Sequence, residues 1–305
     1  RIIKHIGATR AWNWQQGART GWYSPSIVIY NDFRDGKYCC VLFDVEKSDL
    51  RVLKYPVQCW SENYYTTLSY ETLAERRADY GYFCHKRKPS LEDIYIKVLD
   101  FETESVVYEI NWRDALKYLN YSENKEIIKT IHFNHIQFSP CGKKIAFIVR
   151  FDVNHVQHSS LFVADIISGN IEIPVYDEII SHHIWQSPEL IVYWGKLNGD
   201  EGYYRAMIGS NKSEIISLTQ PDGHPVMISE EEFITDSYPD NRMRRQLYRG
   251  NINGKFTKIA EYAEQPVLYI ENRCDSHPSL SNDLKWVQID RMNNGRRSIL
   301  LLQLE

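Results

Sequence analysis

Four histidines in the second half of the chain occupy corresponding places in what reads as one repeating unit. They are His135 in NHIQFSPCGKKIAFIVRF, His183 in SHHIWQSPELIVYWG, His224 in DGHPVMISEEEFITDSYP and His277 in DSHPSLSNDLKWVQIDRM. Their successive spacings are 48, 41 and 53 residues, and a polar turn and an apolar run follow each. Imidazole titrates near neutral pH, so it serves as proton acceptor, proton donor or metal ligand. A single strand histidine is more often a hydrogen-bonded structural residue. Four at one phase of a repeat point instead to a shared site, because equivalent strands of a radial repeat face its axis. A plainer reading of the His-Pro pairs at His224 and His277 is that the proline fixes an extended bend before a strand.

Two arginines accompany these histidines. Arg150 ends the strand after His135, and Arg273 precedes His277 by four residues. Their forked donors suit recognition of a carboxylate or phosphate. Arg244, Arg245 and Arg297 read instead as charges on solvated loops or sheet edges. Near the N-terminus, GATRAWNWQQGARTGWY alternates Trp12, Trp14 and Gln16 with Asn13 and Gln15. As a strand, it places the first three on one face. Gln16 then has a phase close to that of the histidines, making Gln16 and Trp14 substrate-contact candidates, although core packing is the simpler use of the tryptophans. There is no Gly-rich phosphate loop, GxSxG elbow or HExxH helix.

These residues need a frame of repeated strands. A period of about 40–50 residues with several strands per unit is the mark of a β-propeller. The segments VLFDVEKSDLRVL, IKVLDFETESVVYEI and LFVADIISGNIEI share one logic: apolar strand, Asp, short turn, apolar strand. The spacing predicts a single all-β domain over residues 1–305, with six blades countable and the final strand at SILLLQLE. A seventh blade upstream of Arg1 fits the count equally well, so the ring is expected to be incomplete or unusually closed. The charged stretch from Glu71 to Glu92 reads as a long inserted loop. A short helical insertion is expected near 111–128, with Asn111 as its N-cap.

Composition narrows the function classes. A net charge of −4 and a pI near 6.2 leave no basic footprint for nucleic acid. No run of 18 apolar residues occurs, so no membrane span is expected. Aromatic residues reach 13%, led by 21 Tyr and 8 Trp, which suits sheet faces and also stacking on sugar rings. Six scattered cysteines without a CxxC pair fit reduced thiols and a cytoplasmic setting, and no secretory signal is visible after Arg1.

At HFNHIQFSPCGKKIAF, SHHIWQ and RCDSHPSLSNDLKWVQID the chain resembles the oligogalacturonate lyase group of β-propellers. It is similar also to bacterial propeller proteins found with surface-polysaccharide genes, through Thr9–Gly17, Ile29–Asp32, Asp222–Asp240 and Arg273–Lys285. The resemblance implies a lyase acting on an acidic, uronate-containing oligo- or polysaccharide by histidine-mediated β-elimination. It sets His183 on a metal-ligand position, and its HPHP metal motif is half matched by DSHP at His277, so a divalent cation is implied. A uronate lyase must neutralise the carboxylate, remove the C5 proton and protonate the leaving oxygen. His135, His183 and Tyr238 are the catalytic candidates, and Arg150, Arg273, His224, Gln16 and Trp14 the substrate-binding ones. The alternative is a non-catalytic propeller that binds a glycan or a protein in surface-polysaccharide assembly.

Overall fold

The computed structural model describes residues 4–176, 178–210, 212–265, 269 and 272–304. The strands form six antiparallel sheets in succession along the chain. Five have four strands and the last has three, with strand order following chain order within each sheet. Such consecutive meanders are the blades of a propeller, and the fold is a six-bladed, all-β propeller. The blades span 21–53, 59–111, 132–175, 179–217, 226–263 and 279–303.

The chain divides into two compact units. One comprises 1–157 and 164–170, the other 158–163 and 171–305, so the third blade contributes strands to both. In the first unit a core forms from Ile29, Cys40, Leu53, Val57, Tyr65 and Leu99, all fully buried. In the second, Val192, Tyr203 and Phe233 pack between the fourth and fifth blades, and Ile234, Leu247, Val287 and Ile289 between the fifth and sixth. Each strand alternates its side chains between two packed faces, so both faces of a central strand are apolar.

The repeated Asp-turn has one physical cause. Asp44 Oδ1 accepts from the backbone N–H groups of Glu46 and Lys47, at 2.9 Å each. Asp100 does the same for Glu102 and Thr103 at 2.9 and 2.8 Å, and Asp165 for Ile167 and Ser168 at 3.0 and 2.8 Å. Each carboxylate satisfies two donors that the turn would otherwise leave to solvent, so the sequence pattern reports a local Asx turn.

Three expectations about local structure change. Residues Tyr70–Arg76, expected within a loop, form a helix whose N-cap Ser69 accepts from Thr72 N at 3.1 Å. Buried Tyr70 and Leu73 anchor it, which the charged composition of its surroundings concealed. The insertion near 111–128 is two helices, Trp112–Tyr118 and Lys125–Thr130, and Asn111 caps the first by accepting from Arg113 N and Asp114 N at 2.9 and 3.1 Å. Residues 13–17 are a tight turn closed by reciprocal Asn13–Gly17 backbone bonds of 3.0 and 3.3 Å. Strand alternation of Trp12, Trp14 and Gln16 therefore does not apply. Among the described residues no helix is long and apolar enough to cross a membrane.

Candidate functional site

Three imidazoles meet in the second unit. His224 lies between His182 and His277, with ring centroids 4.1 and 4.2 Å away. His182 comes from the strand Ile179–Ser187, His224 from the segment before the short strand Val226–Met227, and His277 from the segment before Ser279–Leu280. His224 and His277 thus precede the short first strands of their blades, whereas His182 lies within the nine-residue first strand of its blade.

Two of the rings are oriented by carboxylates. His224 Nδ1 lies 2.9 and 3.0 Å from the two oxygens of the buried Asp236, whose Oδ1 also accepts from His224 N at 2.6 Å. His182 Nδ1 lies 3.2 Å from Asp222 Oδ1, while Ser181 Oγ donates to Asp222 Oδ2 at 2.6 Å. An ionised carboxylate only accepts, so Nδ1 carries a proton in both rings. For His277 no hydrogen bond to a described residue is formed, although the ring is half-buried.

A network of ions stands behind this trio. Buried Arg245 binds Glu264 and, through Nη2, Asp275 Oδ1 at 3.1 Å. Arg273 grips Asp275 from the other side, Nε to Oδ1 at 3.2 Å and Nη2 to Oδ2 at 2.8 Å. The guanidinium of Arg273 also lies 5.5 Å over the ring of Tyr238, which meets His224 edge-on at 5.9 Å. Two cations, Arg245 and Arg273, thus face Glu264 and Asp275, and His224 faces Asp236. Such pairing is what permits charges at this depth.

Titration follows from these contacts. Burial opposes the charged form of His224, but Asp236, Asp275 and Asp222 outweigh it and raise its pKa. Burial disfavours ionised Asp236 as well, yet the His224 charge and hydrogen bonds hold it below the usual carboxylate range. His277 is pushed down to about 3, first by burial and then by the charge on His224. Asp275, despite burial, is held well below the ordinary range by Arg273. The carboxylates thus favour the charged form of His224, whereas burial and the His224 charge favour the neutral form of His277.

His224, Asp275 and His277 bring one ligand atom each within 4.8 Å of one another. Neutral imidazoles and a carboxylate are donors for a divalent transition metal, and His224 already has the carboxylate on its second nitrogen that metal-bound histidines commonly show. The residues fit such an ion.

The structure sorts the sequence candidates. His224, His277, Tyr238 and Arg273 come together. His183 does not join them: it pairs across the sheet with Tyr193, whereas His182 pairs with Trp194, on the face of Val192 and Tyr203. Adjacent strand residues face opposite sides, so the histidine of the motif SHHIW that meets His224 is His182. Arg245, read as a surface charge, is instead the buried centre of the network. Asp222, Asp236 and Asp275 were not singled out. The signal was present, since Asp222 and Asp275 each lie two residues before a repeat histidine.

In the first unit, His135 meets Tyr80 edge-on at 5.8 Å, and Arg150, rather than ending its strand, lies buried within Lys144–Val153 opposite His132. Trp14 stacks on Phe83 with centroids 6.4 Å apart. Gln16 accepts from Gln58 Nε2 at 3.1 Å. The backbone identifies a different residue as the equivalent of the histidines. Ser276 O accepts from Asp290 N at 2.8 Å, and the next residue, His277, has φ +41°. Ala18 O accepts from Asn31 N at 2.7 Å, and the next residue, Arg19, has φ +54°. His135, after Asn134 in register with Ile148, has φ +50°. Left-handed backbone is uncommon for such side chains and is concentrated at functional positions. Arg19, not Gln16, holds the histidine phase in the first blade.

No protein-family model and no curated protein matches the chain. Solved structures do. An oligogalacturonate lyase in complex with manganese aligns with TM-score 0.62 and 14% identity, over 92% of this chain and 74% of that one. The tricorn protease aligns with TM-score 0.57 and 11% identity, over 93% of this chain but 29% of its own. The β-propeller domain of the trilobed protease from Pyrococcus furiosus, described as having an open velcro topology, gives 0.52 and 13%, over 90% and 75%. Identities this low carry fold and nothing finer. The chain shares the β-propeller fold of a lyase and of peptidase-associated domains, in a form with six blades.

Proposed function

We propose that the second unit carries a divalent-metal site and that the protein is a lyase acting on a uronate-containing oligo- or polysaccharide by β-elimination. The observation that supports this most is the carboxylate-oriented His224 meeting His277 edge-on beside Asp275. His224, His277 and Asp275 would hold the ion. When bound, it supplies a Lewis acid for the carboxylate of the sugar, whose C5 proton then becomes more acidic.

The chain's own groups supply the rest. His182, with Nδ1 held by Asp222, is the imidazole that would take the C5 proton. The C5–H electrons form the C4–C5 double bond, the C4–O bond breaks, and the leaving oxygen takes a proton. Tyr238, edge-on to His224, would give that proton, and the half-buried Arg273 flanks it as a contact for the sugar carboxylate. Binding at His224 Nε2 would leave the Nδ1–H bond to Asp236 in place and release the second imidazole proton.

A screen of uronate polymers, read by near-ultraviolet absorbance of the unsaturated product, tests the reading. Activity is expected with manganese, lost on chelation, and reduced about a hundredfold or more in His182→Ala and in His277→Ala. His135→Ala is the comparison that decides whether the base belongs to the first unit instead. Product formation that is unchanged by chelator and by all three substitutions would remove the mechanism. Saturable glycan binding without new double bonds would favour the binding-module reading.

A further inference from the structure

The first unit holds a cation with no partner. Arg19 is half-buried, its Nε is shut off from solvent, and among the described residues nothing accepts a hydrogen bond from its guanidinium. No carboxylate among them forms an ion pair with it. Its surroundings are neutral: burial pushes the Tyr82 phenol up to about 12 and the Cys59 thiol to about 11, and the nearby Arg19 charge only tempers both shifts. Tyr70 is raised likewise. A guanidinium nitrogen shut off from water without an acceptor is costly, and here it sits on a left-handed residue, φ +54°, that the turn must hold in place.

The same turn presents an amide. Arg19 N donates to Gln16 O at 3.3 Å, which places both residues on one bend. Tyr70 Oη donates to Gln58 Oε1, and Gln58 Nε2 donates to Gln16 Oε1 at 3.1 Å. That relay fixes the Gln16 amide with its oxygen turned inward, so its NH₂ group is left as a donor. Gln58 and Tyr70 are buried, so the relay cannot readily turn over.

We infer that Arg19 and Gln16 form an oxyanion-binding site in the first unit, built for a carboxylate or phosphate group of a ligand. A planar fork of donors beside a fixed amide matches the two or three oxygens of such a group. The site is separate in its residues from the histidine cluster and does not depend on the lyase reading.

Calorimetric titration of the full chain, with chelator present, tests it using galacturonate, inorganic phosphate and neutral galactose. Galacturonate, phosphate or both should bind, more weakly as salt is raised, and galactose should not. Binding of the sugar acid alone identifies a carboxylate ligand, and binding of phosphate alone a phosphoester. Arg19→Gln should weaken binding about tenfold or more, the loss expected for a charged hydrogen bond. Arg19→Lys should retain part of it, and both variants should keep the wild-type melting temperature. Arg205→Gln, in the other unit and ion-paired with Glu214, should bind as wild type does. Absence of anion binding, equal affinity in Arg19→Gln, equal binding of galactose, or loss in Arg205→Gln alone would overturn the inference. Should Arg19→Gln fail to fold, Gln16→Leu reads the same site through the amide.

Discussion

At the scale of single residues, burial decides which histidines can be charged. His132, buried in the first unit with Nδ1 2.7 Å from Thr130 O, is pushed down to about 3, first by burial and then by Arg150 and its neighbours. His277 is also at about 3. The folded state refuses a proton that the unfolded chain accepts near pH 6.5. Between about pH 6.5 and 3 the unfolded state therefore binds more protons, and stability falls as pH falls. One pKa unit corresponds to about 1.36 kcal/mol, so His132 alone accounts for a loss on the order of a few kcal/mol. His132→Asn keeps a donor for Thr130 and removes the titration. Its urea midpoint should vary less steeply with pH across that window than that of the wild type, and parallel curves would dismiss the assignment.

At the scale of elements, the histidine cluster depends on how closely a blade's first segment approaches the next strand. A Cβ on Gly223 would lie 1.9 Å from Asp236 O and 2.6 Å from Thr235 Oγ1, in the strand Glu232–Asp236. Only glycine lets the Asp222–His224 segment come near enough for His224 N and Nδ1 both to reach Asp236. Gly223→Ala forces the two apart. It should cost about 1–3 kcal/mol in stability as an overpacked contact and weaken manganese binding about tenfold or more through the displaced carboxylate. Wild-type metal affinity in that variant would show that the approach does not position the site. The Asp-turns act at this scale too, since Asp44, Asp100 and Asp165 repeat one set of turn bonds in three blades.

At the scale of the molecule, the last blade is distinct. Its third strand, Arg296–Gln303, pairs with Trp286–Asn293, and among the described residues no further strand joins its outer edge. Ile299 and Leu301 on one face and Leu300 on the other are exposed. An apolar strand with free N–H and C=O groups is a template for pairing with another chain. Replacing Ile299 and Leu301 by lysine should lower self-association, measured by light scattering against concentration, while the melting temperature stays near that of the wild type. Unchanged scattering would mean that the edge is protected by its twist or its arginines.

How much could be read beforehand differed by scale, for one reason. Patterns that arise between residues close in the chain were legible: the blades from apolar runs, the Asx turns from Asp44, Asp100 and Asp165, the cap at Asn111. The histidine repeat was legible to within one residue, and that residue mattered. A strand side chain changes face with every position, so the choice between His182 and His183 required the register with Tyr193 and Trp194. Arg245, Asp236 and Asp275 were hidden more deeply, because their roles depend on partners 19, 12 and 30 positions away. Arg19 was concealed by backbone: its equivalence to His277 lies in a left-handed φ and one carbonyl bond, neither of which has a residue signature outside glycine. The sequence by itself determined a propeller of repeated, turn-capped strands with histidines before its later blades. Only the tertiary structure decided which imidazoles meet, which carboxylates orient them and which arginine is left without an anion, because those depend on contacts between strands that the chain does not set side by side.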